Sequence, residues 1–114
     1  MTLYGLKVCD TCRKARQALE KEGKSVEFVD VRETPLSPDM IKKFFAEFGE
    51  DVINRRSTTW RGLTEAERGR APEALLADHP TLMKRPVIVA KTGTTLGWGA
   101  KQQAQHLGSS DAAS

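Results

Sequence analysis

The stretch Thr2-Leu3-Tyr4-Gly5-Leu6-Lys7-Val8-Cys9-Asp10-Thr11-Cys12-Arg13-Lys14-Ala15-Arg16 decides the fold. Its first half carries Leu3, Tyr4, Leu6 and Val8 in a short run broken by Gly5, which predicts a strand over residues 2–8. From Asp10 the period changes. Ala15, Ala18 and Leu19 recur on one helical face, while Arg13, Lys14, Arg16, Gln17, Glu20 and Lys21 fill the other. Gly23 sits where such a helix ends. Residues 25–31 then alternate apolar and polar, a second strand. Strand, helix and strand in about 30 residues make a βαβ unit.

Outward from that unit, Ser37 and Pro38 supply an N-cap and a first helical residue. Met40, Ile41, Phe44, Phe45 and Phe48 form the apolar face of this helix, and Gly49 closes it. Val52-Ile53 is a short apolar segment, the region around Trp60 reads as a polar stretch, and Thr64-Glu65-Ala66-Glu67 starts another helix. Residues 72–79 predict a helix stopped by Pro80. Past Pro86, residues 87–90 and 94–98 read as two strands joined at Lys91-Thr92-Gly93, an antiparallel hairpin. Residues 100–107 predict a terminal helix, and residues 109–114 a flexible polar tail. Set the middle helices aside, an insertion at about 36–80, and the order is βαβ then ββα. This is an α/β chain with the thioredoxin (glutaredoxin-like) order and a mixed four-stranded sheet, one domain over residues 1–108. A C-x-x-C on the turn from first strand to first helix fits that order.

The chain has 114 residues, 39% hydrophobic and 29% charged, enough for one domain with a core. No apolar run exceeds four residues, as in Val87-Ile88-Val89-Ala90, which is far too short to span a bilayer. The N-terminal residues lack the basic start and apolar core of a secretory signal, so a cytoplasmic protein with no membrane partner is expected. Eighteen basic residues against 15 acidic ones give a net charge of +3, too even for a dedicated nucleic-acid binder.

Only two cysteines are present, Cys9 and Cys12. A bridge closing so short a loop removes little unfolded-state entropy, so structural stapling is not their role. A thiol reacts as its thiolate, and a helix N-terminus favours the anion through partial positive charge and unpaired N–H groups. Cys9 at the strand–helix junction is therefore the expected nucleophile. Cys12, one turn on, is placed to attack a mixed disulfide formed on Cys9. Lys7, Arg13 and Lys14 add positive charge and Asp10 opposes it. Zinc binding would need two further ligands from His79 and His106, which lack paired spacing. Two inert buried thiols are the other alternative, and the position of the pair favours redox chemistry over both.

Arg85-Pro86 opens the third strand, where proline is tolerated. Thioredoxin-like folds typically hold a cis-proline there beside the active cysteine, although a trans proline starting a strand fits the sequence equally well. In such a fold Arg85 stands next to Cys9 and can hold an oxyanion or a glutathione carboxylate. Arg55, Arg56 and Arg61 cluster around Ser57-Thr58-Thr59-Trp60, as an anion site or partner surface or simply as solvated charge. Trp98 is expected to pack on the sheet, and His79 to end its helix.

Taken in order, these motifs resemble the arsenate reductase, Spx and YffB group of thioredoxin-fold proteins. The residues that carry the resemblance are Leu3-Tyr4 through Cys9-Asp10-Thr11-Cys12-Arg13-Lys14-Ala15-Arg16, Thr34-Pro35-Leu36-Ser37, Asn54-Arg55-Arg56-Ser57-Thr58-Thr59-Trp60, and His79-Pro80 leading to Lys84-Arg85-Pro86-Val87. The resemblance implies that Cys9 holds the nucleophile position and Arg85 the arginine before the cis-proline, with Arg13, Arg56, Arg85 and Pro86 lining the substrate or anion site. It implies no bound cofactor, with glutathione as co-substrate and glutathione or a protein thiol or disulfide as partner. Gly5 stands where the arsenate reductases carry a histidine, and Gly97-Trp98 where they carry a further arginine. Cys12 matches the second cysteine of Spx, a redox switch that binds RNA polymerase alpha subunits, and the region of Gly49 contributes to that surface. The segment Ser57-Thr58-Thr59-Trp60-Arg61 is closer to YffB, a glutathione-linked thiol reductase by proposal. The expected function is thus a thiol–disulfide oxidoreductase. The alternatives are an Spx-like regulator and a glutathione/glutaredoxin-dependent arsenate reductase.

Overall fold

The structure is a computed structural model in which residues 1–108 are described, so the expected tail over residues 109–114 lies outside the described residues. It groups into two compact units, one built from Met1–Asp30 with the chain from Arg85 onward, the other from Val31–Lys84.

The first unit holds the sheet. β1 (Thr2–Gly5) is followed by α1 (Asp10–Lys21) and β2 (Glu27–Asp30); after Pro86 come β3 (Val87–Ala90), β4 (Gly93–Leu96) and α6 (Ala100–Gln103). The strand order is β2-β1-β3-β4. β1 pairs parallel with β2, Leu3 opposite Phe28, and antiparallel with β3, Leu3 opposite Ile88. β3 and β4 run antiparallel, Val87 opposite Leu96. This mixed sheet with its βαβ and ββα halves is the thioredoxin fold.

Local chemistry explains the elements. The buried stripe of α1 is Cys12, Ala15 and Leu19, spaced to share one face. Ala18 is only half-buried, so the second cysteine belongs to the core face. The helix ends on a Schellman arrangement: Gly23 N–H donates to Glu20 O at 2.9 Å and Lys24 N–H to Leu19 O at 3.1 Å. Gly23 has φ of +82°, which a residue without Cβ adopts at least cost. Leu3, Cys12, Ala15, Leu19 and Ile88 form the core of this unit, with Met1, Cys9, Val26, Phe28, Trp98 and Leu107 packed around it. Trp98 is therefore a packing residue, as expected.

Several boundaries differ from the sequence reading; β2, expected over residues 25–31, is confined to Glu27–Asp30, and the helix expected over residues 72–79 ends at Asp78. β1 stops at Gly5 rather than Val8, because Cys9 N–H donates back to Leu6 O at 3.1 Å and closes a turn that leaves Val8 70% exposed. The hairpin turn is Lys91-Thr92, with Gly93 already in β4 at φ +127° and the strand ending at Leu96. The expected terminal helix is α-helical only to Gln103 and continues as a π-helical turn, Ala104–Gly108.

The second unit is helical. α2 (Pro38–Phe48) starts as expected, its Ser37 cap accepting Met40 N–H at 3.2 Å, and buries Ile41 and Phe44. α4 (Glu65–Arg68) is capped by Thr64, and α5 (Pro72–Asp78) ends on His79 and packs against α2. The polar stretch around Trp60 is a short helix, α3 (Thr58–Arg61), whose Ser57 cap accepts Trp60 N–H at 3.1 Å. The guanidinium carbons of Arg55 and Arg68 stand 5.4 and 5.5 Å from the Trp60 ring centre, a pair of cation–π contacts that fixes the indole.

Candidate active site

Cys9 is the N-cap of α1, with φ −85° and ψ 118°, and its carbonyl accepts Arg13 N–H at 3.0 Å. The turn closed by Leu6 sets its backbone, and the Asp30 carboxylate at the end of β2 accepts Lys7 N–H at 2.9 Å, bracing the same turn. The half-buried sulfur is thus held at the mouth of the helix. Burial works against its ionisation. The backbone N–H of Cys12, the Cys12 thiol and the hydrogen-bonded, charged Arg85 guanidinium outweigh that, and the Cys9 thiol is held below its ordinary range.

Cys12 lies one turn further and is fully buried. Burial pushes its thiol up to about 12; a backbone hydrogen bond from Leu6 works in the opposite direction, and the Cys9 sulfur beside it adds to the rise. Both cysteines are free thiols. One turn of helix has therefore made two unlike sulfurs, one half-exposed with its anion favoured, the other shielded and protonated.

Arg85 stands at the entry to β3, and the Arg85–Pro86 peptide is cis. Pro86 is buried, and its carbonyl accepts Gly97 N–H at 2.8 Å. Cys9, Cys12, Arg85 and Pro86 fall within the sheet-bearing unit. Arg85 is the cation that acts on Cys9, a part the sequence reading had shared among Lys7, Arg13 and Lys14. Arg13 is turned to an exposed ion pair with Asp10 instead. Arg56 belongs to the helical unit, where it is exposed and its N–H donates to Asn54 Oδ1 at 3.0 Å. Neighbouring Arg55 is tied to Glu50 at 2.5 Å.

Two contributors escaped the sequence reading. The first is Leu6, whose backbone reaches the Cys12 sulfur. The other is Gly5, which reads in the sequence as a break in the strand. In the structure a Cβ built on it would overlap the Cys12 Sγ and come 3.1 Å from the Cys12 Cβ. A glycine in a strand interior signals such a close approach, but without saying what approaches.

Among known proteins, a family model described as ArsC family matches residues 4–105. The global transcriptional regulator Spx of Bacillus subtilis is 33% identical over 115 residues, covering 94% of this chain and 86% of that protein. The solved structure of a YffB protein superposes with a TM-score of 0.83 at 31% identity, covering 93% of this chain and 97% of that one. An arsenate reductase (ArsC) related protein from Brucella melitensis superposes with a TM-score of 0.70 at 30% identity, covering 90% of each chain.

Proposed function

We propose, from the premise that this chain belongs to the ArsC family, that it is a thiol–disulfide oxidoreductase working with glutathione, with Cys9 as nucleophile and Cys12 as the resolving thiol. The observation that carries this reading is Cys9 itself, half-exposed at the N-cap of α1 with the Arg85 guanidinium beside it. In the proposed cycle the Cys9 thiolate attacks a disulfide, forming a mixed disulfide and releasing one thiolate. Cys12 then loses its proton to solvent and attacks the Cys9 sulfur, expelling the second thiolate and leaving the Cys9–Cys12 disulfide. The pair gives up two electrons, the substrate disulfide becomes two thiols, and glutathione returns the pair to its reduced state through the reverse exchanges. Capture of Cys9 removes the neighbouring charge that raises Cys12, so the resolving thiol ionises more readily once it is needed. Arg85 is the group suited to a glutathione carboxylate, by its planar fork. No helix among the described residues is long and apolar enough to cross a membrane, and the reading places this reducing chemistry in the cytoplasm.

The test is turnover of a glutathionylated peptide with glutathione as reductant. Wild type should release the peptide thiol catalytically, Cys9→Ser should not, and an inactive wild type sinks the proposal. A second reading, a redox-sensing regulator that binds the RNA polymerase alpha subunit, is favoured by the C-x-x-C together with the likeness to Spx. Binding of the alpha C-terminal domain by oxidised but not reduced protein, with no turnover, would select it.

A further inference from the structure

Gly5 is the buried last residue of β1, paired with Asp30 at the end of β2. Its φ is outside the left-handed region, so its backbone asks for nothing that other residues cannot supply. A glycine inside a strand also forgoes packing and carries an entropic cost. What requires it is space: a Cβ there would overlap the Cys12 Sγ, lie 3.1 Å from the Cys12 Cβ, and touch Leu3 Cδ2 at 3.4 Å. The Leu3 contact is ordinary and the Cys12 contacts are not. Nor can Cys12 easily give way. It is fully buried in the stripe with Ala15 and Leu19, and it sits one turn from the N-cap that fixes the helix start.

We infer that Gly5 is the positioning residue for the Cys12 thiol, its missing side chain being the space the resolving sulfur occupies. The inference rests on the reading of Cys9 and Cys12 as an exchange pair and deepens it. Residue 5 decides by size whether the second thiol can stand against β1 within reach of Cys9. Any side chain there displaces the Cys12 sulfur and leaves Cys9 to act as a single thiol.

The test uses the reduced full chain and the aromatic disulfide dithiobis(nitrobenzoate). Attack by Cys9 breaks the probe's S–S bond and releases one coloured thiolate; attack by Cys12 on the mixed disulfide releases the second, as the pair is oxidised by two electrons and the probe reduced. Gly5→Ala should slow the second release at least about tenfold more than it slows the first, since the resolving step depends on where the attacking sulfur sits. A second release as fast as wild type overturns the inference. Thermal midpoints form the companion measurement: Gly5→Ala should lower the midpoint, and adding Cys12→Ala, which vacates the space, should recover most of the loss. A double variant as damaged as Gly5→Ala shows that the clash is not with Cys12 and also overturns it, even where the single variant does not fold. A wild type that releases only one thiolate refutes the exchange pair itself, while the thermal comparison still decides the role of Gly5.

Discussion

The Asp30 carboxylate accepts the Lys7 backbone N–H at 2.9 Å, tying the end of β2 to the turn that delivers Cys9. That turn is also closed by the Cys9 N–H to Leu6 O bond; Leu6 is buried at its start, while Val8 faces solvent. Between the buried Leu6 and the half-buried Cys9, Lys7 and Val8 are exposed, so the carboxylate is what ties this part of the turn to the sheet. Asp30→Ala should cost about 1–2 kcal/mol in urea unfolding, because it removes a charge-assisted bond to a backbone donor. Asp30→Asn, which keeps an acceptor, should lose less. Equal losses in the two variants would show that the Lys7 bond is not what Asp30 contributes.

The reactivity of Cys9 should follow its neighbours. Alkylation by iodoacetamide, followed against pH, should give wild type an apparent midpoint below the ordinary thiol value of 9.0. Arg85 favours the thiolate, so Arg85→Ala should move that midpoint upward, with Arg85→Lys between the two. Arg13→Ala should leave it nearly in place, because Arg13 is engaged with Asp10 on the exposed side of α1. An Arg13 effect as large as that of Arg85 would reverse the assignment.

Much of the site was legible because its residues announce themselves locally. Cys9 and Cys12 are the only cysteines, the change of period at Asp10 marks the helix start, and Arg85-Pro86 opens an apolar run. Ser37-Pro38 fixed the start of α2 in the same way. What was missed depends on approach through space. Nothing in the order of residues says that Gly5 faces Cys12, or that Cys12 rather than Ala18 completes the buried stripe of α1. Val8 reads as strand by hydrophobicity, yet a backbone turn takes it out of the sheet. α3 has four residues, too few to show a period, and it is held by the Ser57 cap and by Arg68, which donates to the Trp60 and Arg61 carbonyls from the end of α4.

Cys12 makes the fold sensitive to alkali. Its thiol is pushed up to about 12 in the folded chain, against an ordinary value of 9.0. Between those values the unfolded chain has lost the proton and the folded chain still holds it, so stability falls as pH rises through that window. Tyr4 is raised too, by burial and by Glu27, and acts in the same direction, so the comparison must cancel it. Urea midpoints at pH 8 and pH 10.5 should fall further for wild type than for Cys12→Ala, in which Tyr4 is unchanged. Identical slopes for the two proteins would mean that the Cys12 thiol does not resist ionisation.

His106 should produce the opposite limb. It is 1% exposed, its Nε2 stands 2.7 Å from Thr95 Oγ1, and its Nδ1 has no hydrogen-bond partner among the described residues. Burial and the nearby Lys24 charge both lower its pKa from 6.5, so the fold favours the neutral ring. A depressed value means that the unfolded chain takes up the proton first. The contribution is complete above about pH 6.5 and is lost as pH falls toward the folded value. Wild type should therefore be less stable to urea at pH 5 than at pH 7.5, and His106→Phe should flatten much of that difference whatever its own stability. Lys24→Ala, by removing the repelling charge, should bring the folded value back toward 6.5 and so shrink the loss between pH 7.5 and pH 5. Thr95→Val should cost about 1 kcal/mol at both pH values, since it removes the partner of Nε2 without removing the titrating group. A wild type whose stability is flat across that range, or a His106→Phe profile as steep as wild type, would show that the buried ring is not the source of acid sensitivity.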